Sequence, residues 1–293
     1  VRPILRPGTH VLRRGAGEVQ VGLDPRTALV LPDSPDVRDS LRLLGTCADL
    51  GAYGEAAVLD VLTDHDQLVD ERVLTPLLGQ DPEVATTTAA LARAAGQDAA
   101  RLHGGRHRWR TETHTFGHPS GVALRDRFES LTAAAGLLPV GRLRGTRAPD
   151  CTVLLGVGEP DRELVDGWTR GGTPHLLVRL TEGRALVGPF VVPGATACLR
   201  CVDAHCTDAD PAWPLLVQQY AAASASDRPD GVPEPLDPLL AALALAWAAR
   251  DLAAYVDGRR PSTWSATVTL HPDPGHLETR SWLRHPGCSC TWD

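Results

Sequence analysis

Apolar runs broken by turn residues fill the first eighty positions, and their patterning predicts an ordered set of short elements. Residues 11–14 and 18–21 flank Gly15-Ala16-Gly17, which predicts a β-hairpin. Leu23-Asp24-Pro25-Arg26 makes another turn, and residues 27–31 read as a short apolar strand. Ser34-Pro35-Asp36 starts a helix, with a hydroxyl to cap the first amides and proline at the first helical position. Val37, Leu41 and Leu44 then share one helical face. Residues 53–62 and 67–78 predict two more helices, and the Ala-rich residues 82–102 a longer one. From there the pattern alternates. Strands are expected at 108–116, 140–143, 151–155, 175–180 and 185–192, with helices at 122–135 and 163–168. Residues 222–238, rich in Ser, Asp and Pro, read as a loop. Residues 264–270 and 277–282 predict a final hairpin.

Three strands beside three short helices are the inventory of a winged-helix-like module, here 1–80. Strands alternating with helices are an α/β signature. The expected organisation is therefore that module, a helical linker at 81–107, and an α/β domain at 108–293. Between the last two predicted hairpin strands and the loop lies the longest apolar run, 238–256, interrupted by Arg250 and Asp251. A membrane span tolerates that pair poorly, so a buried helix is expected, with no membrane partner.

Composition narrows the chemistry. The chain has 293 residues, 43% of them apolar, enough for a packed core. Its formal charge of −7 argues against broad nucleic-acid binding. All 29 basic residues are Arg, which excludes a Schiff-base lysine and a phosphate-binding lysine. Neither a G-x-S-x-G elbow nor an H-E-x-x-H helix supports a hydrolase. The start of the chain lacks a secretory pattern, and seven cysteines are an odd number, so reduced thiols in the cytoplasm are expected.

Four of those cysteines form two tight pairs. Cys198 and Cys201 make a C-x-x-C, and Cys288 and Cys290 a C-x-C after His285-Pro286-Gly287. Two thiolate pincers are what a structural, tetrahedral Zn²⁺ needs, and such a site would staple the end of the chain to its middle. The competing reading is four buried thiols with no metal. His205 and Cys206 are substitute ligands, with Cys206 also a candidate nucleophile; Cys47 and Cys151 read as core. His103, His107, His114 and His118 could form a second metal site or a solvated edge.

The stretch from Val187 to Pro193-Gly194-Ala195-Thr196-Ala197-Cys198-Leu199-Arg200-Cys201 resembles the ThiF/MoeB superfamily of ubiquitin-activating-type adenylyltransferases. The apolar helix, hairpin and terminal cysteine pair follow in the same order. Arg6-Pro7-Gly8-Thr9-His10-Val11 and Gln20-Val21-Gly22-Leu23-Asp24 are similar to the opening of cyclodehydratase-associated ThiF-like proteins of azole-peptide biosynthesis. The resemblance implies an N-terminal recognition element for a ribosomal precursor's leader peptide. It further implies a degenerate activating-enzyme-like domain with structural zinc, which docks to a YcaO-type cyclodehydratase.

An active member would need a glycine-rich phosphate loop, a ribose-holding acid and a metal-binding acid. Here the loop is Phe116-Gly117-His118-Pro119-Ser120-Gly121, and Pro119 removes a backbone donor. Residues 140–145 contain no acid, and only Glu159 or Asp161 approximates an Asp-x-x-Asp-Asn pattern. Gly117, Pro119, Gly121, Glu159 and Asp161 therefore mark a degenerate nucleotide site, and ATP is not expected as a cofactor. Three readings remain: a non-catalytic leader-peptide binder, an ATP-dependent adenylyltransferase with an Arg-adapted site, and a homodimeric scaffold without peptide binding. For the first, the resemblance implies an open third-strand edge facing the third helix. Ala28, Val30, Leu74 and Leu77 are the pocket candidates, or else core; Arg26 and Arg72 would meet leader acids, or else solvent.

Overall fold

The computed structural model describes residues 2–15, 17–45, 56–74, 82–139, 148–226, 230–232, 235–273 and 275–291. The chain divides into two compact units, Val1–Gly104 and Gly105–Asp293.

In the first unit, β2 (Val11–Gly15), β3 (Glu18–Val21) and β4 (Leu29–Pro32) form an antiparallel sheet in that order, preceded by β1 (Pro3–Leu5). β4 pairs only with β3, so its other edge is free of strand neighbours among the described residues. Helix α1 (Pro35–Gly45) follows, and Ser34 Oγ accepts the Val37 N–H at 3.2 Å. That cap contributes about 1 kcal/mol. The α1 residues Val37, Leu41 and Leu44 meet Val19, Val21 and Leu31 of the sheet and Val58 and Leu62 of α2 (Ala56–Asp64).

The helix expected at 67–78 does not begin there, and residues 75–78 lie outside the described residues. Residues Leu68–Asp70 form β5, which pairs antiparallel with β1, and Glu71–Leu74 are helical as α3. The pairing joins residues more than sixty positions apart, so no local pattern announces it. Val69 and Leu74 build a second cluster with Ile4, Leu91, Ala92, Ala99 and Leu102. The last four lie on α4 (Pro82–Ala95) and α5 (Ala99–Arg106), the Ala-rich stretch, broken by a 3₁₀ turn at Gly96–Asp98.

The second unit is α/β, built on a mixed seven-stranded sheet. Its strands are β6 (Arg110–Gly117), β7 (Leu138–Pro139), β8 (Cys151–Val157), β9 (His175–Thr181), β10 (Arg184–Val191), β11 (Ala266–Leu270) and β12 (Leu277–Ser281). The spatial order is β12-β11-β10-β9-β8-β6-β7. Strands β7, β6, β8 and β9 run parallel, and the remaining pairs are antiparallel. β8 and β9 are almost wholly buried, which explains their unbroken apolar runs. The strand expected at 140–143 falls outside the described residues.

Helices α6 (Gly121–Ala134) and α10 (Pro238–Val256) cover one face of this sheet. The α10 stripe Leu240, Ala241, Ala244, Leu245, Ala248 and Leu252 is buried against it, which explains its apolar length. Asp237 caps α10 by accepting the Leu239 and Leu240 amides. On the opposite face lie α7 (Arg162–Arg170) and α8 (Leu199–Ala209), followed by α9 (Trp213–Ala223). Neither α8 nor α9 was expected, and α9 runs into the residues read as a loop.

Candidate functional site

β6 is the switch point of the parallel strands: the chain passes from it to β7 on one side and then to β8 on the other. In open α/β sheets, ligands bind outside the carboxyl ends of strands at such a point. A cleft of about 1330 Å³ opens there, bordered by Phe116, Gly117, Glu159, Arg162, Asp203 and the cysteine cluster.

Glycine sets the geometry of its floor. Gly117 has φ +68°, and a Cβ there would stand 1.8 Å from Val157 O. A Cβ on Gly156 would stand 2.2 Å from Phe116 O. These two glycines let the ends of β6 and β8 meet, a packing role that needs no phosphate.

Four amides at and beside the loop are bonded within the chain. Ser120 N–H donates to His118 Nδ1 at 3.3 Å, Gly121 N–H to His118 O at 3.0 Å, and Val122 N–H to Pro119 O at 3.1 Å. Gly158 N–H donates to Leu180 O at 2.7 Å, and the buried Ser224 packs directly on Gly158. Pro119 has no amide proton to give. An anion arriving here meets donors that have partners, unlike the open N-terminus that favours phosphate.

The acids are engaged too. Glu159 accepts from Arg179 Nη1 at 3.0 and 3.2 Å and from Arg162 Nη1 at 2.8 Å. Arg162 forks onto Asp203 at 2.9 and 3.0 Å, and Trp213 Nε1–H donates to Asp203 at 2.9 Å. Burial opposes the Arg162 charge, and the Asp203 and Glu159 carboxylates more than offset it, holding its pKa above the ordinary value. Asp161 caps α7 by accepting the Glu163 N–H at 2.9 Å. Arg179 and Asp203 carry no signal in the sequence, because their partners lie on distant elements. Only the three-residue step from Glu159 to Arg162 was local enough to suggest a pair.

The cysteine pairs converge. Cys198 sits at the N-cap position of α8, Cys201 lies in its first turn, and the chain end brings in Cys288 and Cys290. Sγ separations are 3.8 Å for Cys198–Cys201, 3.7 Å for Cys198–Cys288 and 3.3 Å for Cys201–Cys290. A Zn–S bond of about 2.3 Å implies a tetrahedral S–S edge of roughly 3.8 Å, so the donor set fits zinc with a small expansion at one edge. The Cys201 thiol is drawn down, first by the hydrogen bond it accepts from Cys198, and Cys198 is pushed up by making that bond. Bonds from the tail fix the approach: His205 Nε2 donates to Leu283 O at 3.0 Å, and Arg284 Nη1 to Gly194 O at 2.8 Å. Cys206 is half-buried beside this cluster, and burial first of all raises its pKa.

In the first unit, Val30 is exposed on the free-edged strand β4, with the half-buried Ala28 just before it. Arg26 is exposed and paired with Asp24 at 2.7 Å. Arg72 is exposed on α3, whereas Leu74 is 3% exposed inside the β1–β5 cluster. Leu74 is therefore core, packed with Ile4 of β1 and Val69 of β5. Leu77 and Cys47 lie outside the described residues, and Cys151 is fully buried. Of the four scattered histidines, His114 packs on Trp168 and contacts Glu112, and His118 holds the loop; they form no metal cluster among the described residues.

No protein-family model and no curated protein matches the chain. Among solved structures it is similar to the heterocyclase TruD, with TM-score 0.66 and 17% identity, over 99% of this chain and 42% of that one. A heterocyclase in complex with substrate and cofactor gives TM-score 0.68 and 16% identity, over 99% and 39% of the two chains. E. coli MccB, in a structure with succinimide, gives TM-score 0.64 and 11% identity over the full length of both. MccB has also been solved with ATP. At these identities the likeness is one of fold. The chain spans about two fifths of the heterocyclases and all of MccB.

Proposed function

We propose that this chain is a non-catalytic carrier: it binds the leader of a ribosomal precursor peptide and presents the peptide to a YcaO-type cyclodehydratase. The observation that carries this reading is the closed phosphate loop, whose amides at 120–122 and 158 all donate within the chain. Glu159, the acid nearest a metal-binding role, is neutralised by two arginines. The likeness to TruD and to a heterocyclase solved with substrate supports the setting.

The first unit is the winged-helix-like recognition element in this proposal. A leader adds as a strand to the free edge of β4, taking affinity from backbone hydrogen bonds and specificity from side chains such as Val30. Tethering then raises the local concentration of the core peptide at the partner enzyme. Zinc held by Cys198, Cys201, Cys288 and Cys290 fastens the α/β unit, and reduced cytoplasmic thiols suit that ligand set.

Fluorescence anisotropy tests this with the labelled leader of a precursor encoded beside the gene. Saturable binding is expected, weakened at least about tenfold by Val30→Asp at its exposed position. Absence of binding at high protein concentration would sink the proposal in favour of a scaffold. The second reading, an ATP-dependent adenylyltransferase, is favoured by the open cleft and by the ATP-bound structure of MccB. Pyrophosphate exchange with a peptide substrate would establish it.

A further inference from the structure

The β11–β12 hairpin carries a histidine pair that the cleft and the cysteine cluster do not use. One step past the last β11–β12 pair, Leu270 with Leu277, the antiparallel register brings His271 opposite His276. Their rings stack 4.2 Å apart at 10°, so the in-plane lone pairs run side by side and converge on one ion only when the exposed His276 ring turns about its Cβ–Cγ bond. Glu278 lies two residues beyond His276, on the same face of β12. Both imidazoles point Nε2 at one carboxylate oxygen, Glu278 Oε1, at 3.5 Å from His271 and 3.1 Å from His276. The turn holds this arrangement, with His276 N–H donating to Asp273 O at 3.0 Å.

Metal–nitrogen and metal–oxygen bonds near 2.0–2.2 Å imply tetrahedral edges of roughly 3.3–3.6 Å between ligand atoms. The 3.5 Å separation falls within that range and the 3.1 Å one just short of it, and the three atoms lie within 4.8 Å of one another. His271 Nε2 is buried and makes no hydrogen bond, so a cation there displaces none.

The other histidine cluster, His205, Asp208 and His285, does not fit. His285 Nδ1 accepts the Gly287 N–H at 3.1 Å, while Nε2 meets Asp208 at 3.0 Å. A histidine bound to metal through Nε2 carries its proton on Nδ1, where that amide already points. That trio fastens the tail instead.

We infer that His271, His276 and Glu278 form a three-ligand site for a divalent transition metal such as Zn²⁺. Imidazole and carboxylate donors suit such an ion, and three protein ligands leave a fourth position for water or an incoming side chain. The site is separate from the cysteines and from the leader-binding proposal.

Zinc titration of the full chain by calorimetry tests it, with His276→Ala, Glu278→Gln and Asp208→Asn in parallel. His276 and Glu278 are 58% and 57% exposed, so these substitutions leave the fold in place. H276A and E278Q are each expected to weaken one equivalent by more than about 100-fold, with D208N unchanged. With Co²⁺, that equivalent should show ligand-field bands without thiolate charge transfer. An absence of any equivalent sensitive to both substitutions overturns the inference. So does sensitivity to D208N alone, or thiolate charge transfer in that equivalent.

Discussion

Glu159→Gln separates a structural acid from a metal-binding one. Glu159 is 9% exposed and shared by Arg179, 5% exposed, and Arg162, 15% exposed. The substitution keeps shape and one acceptor but removes the charge. Arg162 retains its Asp203 fork, so the loss concentrates on Arg179, whose remaining buried Nε makes no hydrogen bond. Leaving one member of a buried pair uncompensated costs about 3–5 kcal/mol. The glutamine oxygen returns about 1 kcal/mol as a hydrogen bond to the guanidinium. The expected destabilisation is therefore about 2–4 kcal/mol. Urea unfolding followed by tryptophan fluorescence reads it cleanly, because all seven tryptophans lie beyond residue 105. The double variant with Arg179→Met should recover most of the loss, since apolar replacement of a buried pair is close to neutral. A single-variant loss under about 1 kcal/mol, or a double variant no better than E159Q, would refute the reasoning. A gain in stability on E159Q would instead mark an acid held for a cation.

Four further outcomes are expected. Arg106→Ala removes the fork onto Asp257 at 2.8 and 2.6 Å and the bond to Ala135 O, and should cost about 3 kcal/mol in the same urea assay. Burial works to raise the Asp257 pKa, but Arg106 and Arg259 outweigh it and hold the group below its ordinary value of 3.8. Its contribution is thus present above that value and lost as pH falls through the lower folded value; Asp257→Asn should flatten the acid limb of a stability-versus-pH curve. Gly117→Ala forces a side chain into a left-handed residue against Val157 O and should destabilise by at least about 2 kcal/mol, read as a lower urea midpoint. Chelation of purified protein should release metal bound at the cysteine cluster and loosen tryptophan packing, while the helical signal of the first unit persists; unchanged fluorescence and urea midpoint would count against zinc there.

Much of the fold was legible where local pattern and tertiary demand agree. The 11–21 hairpin, the Ser34-capped helix, the buried strands and the long apolar helix all carry their cause within a short window. What escaped depends on distant partners. β5 exists because β1 pairs with it, so residues 67–78 read as helix until that strand is known. Helix α8 was hidden because its first turn was read for cysteine spacing rather than for periodicity. The glycines at 117 and 121 mark the turn from β6 into α6, but the sequence cannot tell a donor aimed at a ligand from one spent on a neighbouring carbonyl. Glu159 was singled out as an acid, whereas its two arginines lie on other elements.

The spent amides also set how weakly ATP should bind. Ser120, Gly121, Val122 and Gly158 each donate to an acceptor in the chain. A phosphate drawing on them must first break those bonds, at a net cost of about 1 kcal/mol apiece relative to donors held open for it. Four such bonds amount to about 4 kcal/mol, roughly a thousandfold in Kd. A nucleotide that an open loop would hold at micromolar Kd should therefore bind here near millimolar. Arginines do not restore the difference, because Arg162 and Arg179 are held by Asp203 and Glu159. Calorimetry with ATP and Mg²⁺ should give no saturable heat below about 1 mM. Tight binding would mean that the loop opens and its internal bonds are exchanged for phosphate oxygens, and the adenylyltransferase reading would then replace the carrier.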